Sequence, residues 1–158
     1  MNQYLRTAIK YFCVILLFAA CNNKPESTTT TNKADAAKQL IDQHFKLLND
    51  HDLKGLVGQY ADKARISTTD WDGVSYGQQG ADQIFHALFY ISPDAKYLVD
   101  NMITNDSTVV VEYDVIGLKD KAESAIRYDS RNCSIFYIRN NKISSEATYA
   151  NKRLYHSK

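Results

Sequence analysis

Glycine and proline are scarce in this 158-residue chain, at six and two residues, which excludes collagen-like and Pro/Gly-rich disordered classes. Charge of one sign is also missing. The 19 Lys and Arg face 18 Asp and Glu, so there is no basic footprint for nucleic acid. No apolar run approaches the about 20 residues that cross a bilayer, and only three cysteines are present: Cys13, Cys21 and Cys133. There is no CxxC, HExxH, GxGxxG, nucleophile elbow or Ser/His/Asp order, so no metal or other cofactor is expected. What remains is 44% hydrophobic and 23% charged, the composition of one globular domain.

The first twenty residues stand apart. Arg6 and Lys10 precede the apolar residues 11–20, which end in Leu17-Phe18-Ala19-Ala20 before Cys21. A basic start, a short apolar stretch and small residues describe an export signal. The segment resembles a bacterial lipobox, with Phe18 where leucine is commonest, and this implies a lipidated Cys21 as mature N-terminus. An ordinary secretory signal with an incidental thiol at Cys21 is the competing reading. Residues 22–33, NNKPESTTTTNK, contain nothing hydrophobic and read as a tether. The expected organisation is a signal over 1–20, a lipidated cysteine and tether over 21–33, and a domain over 34–153. Without Arg6 and Lys10, 17 basic side chains face 18 acidic ones and the formal charge moves from +1 to −1. The domain keeps only Cys133, which in an apolar alternating run reads as a small buried residue rather than a reactive thiol.

Across residues 34–49, Ala37, Leu40, Ile41, Phe45 and Leu48 recur at helical spacing, with His44 inside the stripe. Asp52 is a candidate N-cap for a second helix carrying Leu53, Leu56, Val57 and Tyr60. Residues 64–68 read as a short strand, 69–80 as a loop and 81–91 as a third helix ended by Ser92-Pro93-Asp94. Four strands are expected over 96–104, 108–118, 126–139 and 142–151, joined by hairpins at Asn105-Asp106-Ser107 and Asn140-Asn141. In the second of them Val109, Val111, Tyr113 and Val115 share one face, opposite a mixed face of Val110, Glu112, Asp114 and Ile116. Helices followed by an antiparallel meander make an α+β fold.

Four strings then carry a resemblance: Leu47-Leu48-Asn49-Asp50-His51-Asp52-Leu53, Gln59-Tyr60-Ala61-Asp62-Lys63-Ala64, Tyr76-Gly77-Gln78-Gln79-Gly80-Ala81-Asp82-Gln83-Ile84 and Phe136-Tyr137-Ile138-Arg139-Asn140-Asn141-Lys142-Ile143. In order and spacing the chain resembles the nuclear-transport-factor-2-like superfamily, in its SnoaL-like and ketosteroid-isomerase-like branch. The resemblance implies a cone: a strongly curved antiparallel sheet wrapped around three N-terminal helices, with a deep pocket inside and a homodimer through the outer sheet face. Such folds host isomerases, cyclases, dehydratases and binding subunits. The positions of the steroid isomerases' helix tyrosine, strand acid and proton-shuttling aspartate fall here on His44, Ser134 and Thr68. A threonine cannot shuttle protons as a carboxylate does, so that chemistry is not expected, although Asp70 and Asp72 lie just beyond Thr68.

His44 with Asp70 or Asp72 is therefore the candidate catalytic pair, because imidazole suits proton transfer near neutral pH. A histidine packed in the pocket and hydrogen-bonded to a neighbour is the competing reading. Tyr60, Trp71, Tyr76, Phe85, Phe89, Tyr113 and Tyr149, with Thr68 and Ser134, form the candidate wall for a small hydrophobic or aromatic ligand, though they would equally fill a core. The expectation is a lipid-anchored ligand-binding domain facing the periplasm or on the cell surface. An enzyme using His44 and a loop aspartate, or a dimerising or partner-docking module, are the alternatives.

Overall fold

The computed structural model describes residues 28–69 and 73–154. The signal, Cys21, Asp70, Trp71 and Asp72 lie outside the described residues. The elements run α1 (Thr28–Asp50), α2 (Leu53–Gln59), β1 (Tyr60–Thr68), β2 (Ser75–Tyr76), α3 (Gly77–Ile91), β3 (Lys96–Asn105), β4 (Thr108–Leu118), β5 (Tyr128–Arg139) and β6 (Lys142–Leu154).

Helix α1 buries Ala37, Ile41, His44, Phe45 and Leu48 along one stripe, while Lys38–Asp42 and Lys46–Asp50 pair at i,i+4 on the wet side. His51 enters the left-handed region at φ 55° and ends it. Asp52 then caps α2 by accepting from the Gly55 amide at 2.9 Å. Tyr60, expected in the second helix, instead opens β1. Within the expected 69–80 loop lie β2 and the start of α3. Gly77 is obligatory at that junction: its φ is 63°, and an added Cβ would stand 2.2 Å from the Asp62 carbonyl oxygen.

The six strands form one curved, unclosed sheet in the order β2-β1-β6-β5-β4-β3. It is mixed rather than purely antiparallel, because β1 runs parallel to β6. The chain between them runs through β2, α3 and the β3–β5 meander, a connection long enough to permit parallel pairing. Asn140 and Asn141, both at positive φ, form the tight β5–β6 connection anticipated from their residue types. The helices cover the inner face. There Val109, Val111, Tyr113 and Val115 meet Phe45 and Phe136, and each such large side chain contributes roughly 1.5–3 kcal/mol of burial. Asn49 ties α1 to strand β3 through both backbone groups of Tyr97, donating to its carbonyl and accepting from its amide at 2.9 Å each.

Candidate functional site

Between α1, α3 and the inner sheet face lies a cavity of about 230 Å3. Its apolar wall includes Phe45, Leu48, Ile84, Phe85, Leu88 and Phe136, and its polar groups are His44, Thr68, Tyr97, Tyr113, Asn132, Glu146 and Thr148. This is larger than the about 150 Å3 that accommodates benzene and smaller than the about 300 Å3 at which drug-sized sites begin. A molecule of one or two rings is the matching size.

His44 is 1% exposed and set among the ring edges of Phe45, Tyr60, Phe85 and Phe136, with centroids 5.3–6.1 Å away. Its Nδ1 lies 2.8 Å from Oε1 of Gln59, while Gln59 Nε2 donates to the Leu40 carbonyl at 3.2 Å. The Leu40 bond fixes which end of the amide faces the ring, and an amide oxygen can only accept. Nδ1 therefore carries the proton, and Nε2 is left as an acceptor with no partner among the described residues. Burial lowers the His44 pKa below its usual 6.5, against opposing pulls from the Glu146 charge and the Gln59 bond. The ring is neutral at pH 7.

Glu146 is the residue the sequence reading missed. It is 6% exposed, yet its two oxygens accept from the Tyr60 hydroxyl and, at 3.1 Å, from Thr148 Oγ1. Thr148 has one hydroxyl proton and spends it there, so at 2.7 Å it must accept from Ser134. Ser134 in turn accepts from Tyr113 at 3.0 Å. The relay thus has one direction: Tyr113 to Ser134 to Thr148 to Glu146, with Tyr60 donating from the other side. Burial first, then the Glu146 charge, pushes the Tyr60 phenol well above its usual 10. Burial likewise raises Tyr113 to about 12, so both remain proton donors.

The wall expected from sequence is only partly assembled. Thr68, Phe85 and Tyr113 line the cavity beside His44. Tyr60 and Ser134 stand behind it, in the relay. Phe89 packs between Phe85 and His51, at ring-centroid distances of 6.4 and 4.6 Å. Two expectations need correction: Tyr76, at the N-terminus of α3, is 64% exposed, and Tyr149, on the outer face of β6, is 61% exposed. The cause at Tyr149 is a bulge. Tyr137 pairs with Ser145 and Ile138 with Ile143, leaving Ser144 as an extra residue that swaps the faces of everything after it. The same swap brings Glu146 inward. Gln59 was also missed; being polar at the end of a short helix, it gave no pattern to notice.

A helical pair and a third helix packed inside a curved six-stranded sheet, with a cavity at the centre, define the nuclear-transport-factor-2-like cone fold. Solved structures share it at low identity. Bal32a from a soil-derived mobile gene cassette is 15% identical, with a TM-score of 0.65 over 75% of this chain and 91% of its own. An NTF2-like protein from Burkholderia xenovorans LB400 is 14% identical, with a TM-score of 0.63 over the same shares. A proposed SnoaL-like polyketide cyclase from Jannaschia sp. CCS1 is 13% identical, with a TM-score of 0.66 over 75% and 88%. The chain belongs to the SnoaL-like domain family, whose model matches residues 41–146. Among curated proteins, none matches this sequence.

Proposed function

We propose that this SnoaL-like domain binds a small hydrophobic, ring-containing molecule in its cone and is held at a bacterial membrane by lipid on Cys21. The observation that carries the ligand reading is the 230 Å3 cavity, whose phenylalanine walls leave unfilled space beside His44 and Glu146. Empty apolar volume of that size costs stability in proportion to its volume, so a fold that needed no ligand would be better filled. The anchor rests on the sequence before Cys21 and on the polar residues 22–27 after it; residues 28–33, expected in the tether, belong to helix α1.

A second reading, proton transfer on the bound molecule, is favoured by one feature. His44 presents an unshared Nε2 on a neutral ring whose tautomer Gln59 holds, in the same cavity as a carboxylate. Among the described residues the carboxylate that shares the cavity with His44 is Glu146.

Native mass spectrometry of the protein purified from its source cells tests these readings together. Acyl chains on Cys21 add mass that survives denaturation, whereas a bound molecule leaves on denaturation. Two small molecules that interconvert on the protein would mark an enzyme; one unchanged molecule marks a binding domain. An unmodified Cys21 removes the anchor. Ligand retention in an Ala87→Trp variant, which fills the cavity, would remove the cone as the binding site.

A further inference from the structure

We infer that the cone selects a small aromatic or alicyclic primary amine, taken up as its ammonium ion with Glu146 as the counter-ion. This names the ligand class of the site above and rests on the cavity-binding reading.

The first ground is charge. Glu146 lines the cavity but has no cationic partner among the described residues, and no Lys or Arg contributes to the wall. A buried carboxylate without a counter-charge is costly even when hydrogen-bonded. Tyr60 and Thr148 use two of its roughly four lone-pair directions, and the others remain available.

The second ground is the direction of the hydrogen bonds. The hydroxyl protons of Tyr60, Tyr113, Ser134 and Thr148 are all committed to the relay that ends on Glu146. A ligand carbonyl or oxyanion finds none of them free. Acceptor capacity in the cavity remains at Glu146, at Nε2 of His44 and at the hydroxyl of Thr68, which stands opposite Thr148 on the neighbouring strand. The donors there are the Tyr97 hydroxyl, buried without a partner among the described residues, and the Asn132 amide. An ammonium group has three N–H donors and no acceptor, which matches the acceptors, and among them Glu146 alone carries charge. The third ground is the wall, because a cavity lined by Phe45, Phe85, Phe136 and Tyr113 suits an aromatic or alicyclic body on the amine. An anion is repelled by the Glu146 carboxylate.

The test uses three compounds of nine or ten heavy atoms on the full chain, followed by isothermal titration calorimetry: 2-phenylethylamine, 2-phenylethanol and phenylacetate at pH 7. The amine is expected to bind at least about tenfold tighter than the alcohol, the gain typical of a charge-assisted hydrogen bond, and the carboxylate not to bind. Glu146→Gln should bring amine and alcohol within about twofold of each other while the alcohol still binds. Equal or tighter binding of the alcohol or the carboxylate to the native protein overturns the amine and leaves the cavity reading standing. An amine preference that survives in Glu146→Gln overturns the role of Glu146. If none of the three binds, the cavity reading itself falls. The native-protein series stands alone should the variant not fold.

Discussion

Strands β4 and β6 lie in the same sheet, one strand apart, and differ in how their sequences map onto its faces. In β4, strict alternation carries Val109, Val111, Tyr113 and Val115 to the core, with Val110, Glu112, Asp114 and Ile116 on the other side. In β6, alternation counted from the buried Ile143 points Ser145, Ala147 and Tyr149 inward. The bulge at Ser144 reverses this, sending Tyr149 to solvent and bringing Glu146 and Thr148 to the cavity. One unpaired residue thus converts what would be an apolar wall position into a carboxylate. Ser144 itself is fastened by a 2.9 Å bond from its hydroxyl to the Tyr137 carbonyl. The site chemistry is therefore set by strand register as much as by residue type.

Shifting the register beyond the bulge should have the largest effect. Inserting one alanine between Ser145 and Glu146 turns Glu146 and Thr148 outward and forces Tyr149 into a space shaped for smaller groups; a loss beyond about 4–5 kcal/mol is expected. Deleting Ser144 instead keeps Glu146 and Thr148 inward, because Ser145 and Glu146 still stand opposite Tyr137 and Phe136. Chemical denaturation that finds the insertion within about 1 kcal/mol of the parent would refute register as the determinant. The contrast is sharpened by truncating one tyrosine in each strand. Tyr113→Ala should cost about 3–5 kcal/mol, because it empties a buried site and strands Ser134, whereas Tyr149→Ala should stay within about 0.5 kcal/mol. Similar melting shifts for the two would mean that Tyr149 is not on an exposed face.

The smallest effect is a pH dependence carried by His44 on α1, which lines the cavity together with inner residues of both strands. The unfolded chain takes up a proton on this histidine near pH 6.5, and the buried native ring only at lower pH. Stability from this group is complete above about pH 6.5. It declines as the pH falls from there toward the native value, by at most about 1.4 kcal/mol per pH unit. His44→Gln should flatten that slope, so an unchanged slope between pH 6.5 and 5 would show that His44 does not titrate as its burial requires. Asp94, held below its usual range chiefly by its hydrogen bonds to Arg127, acts in a more acidic window.

Much of the architecture was legible because the signals are local. The α1 stripe, the Asp52 cap, the β4 alternation and the Asn140-Asn141 turn each depend on a few consecutive residues, and each element formed near its expected place. The parallel β1–β6 pairing was not legible, since it joins residues about eighty positions apart. His44 could be picked out as a histidine inside an apolar stripe. Its tautomer could not, because that depends on Gln59 fifteen residues later and on the Leu40 carbonyl that orients the amide.

By itself the sequence determined the fold class, the helix faces, the turns and the near-neutral charge, all of which follow from residue propensities and periodicity over short spans. Only the tertiary structure decided which polar groups share the cavity. A single extra residue at Ser144 exchanges the two faces of β6, and the direction of a hydrogen-bond relay is defined only once Tyr60, Tyr113, Ser134, Thr148 and Glu146 have been brought within reach of one another.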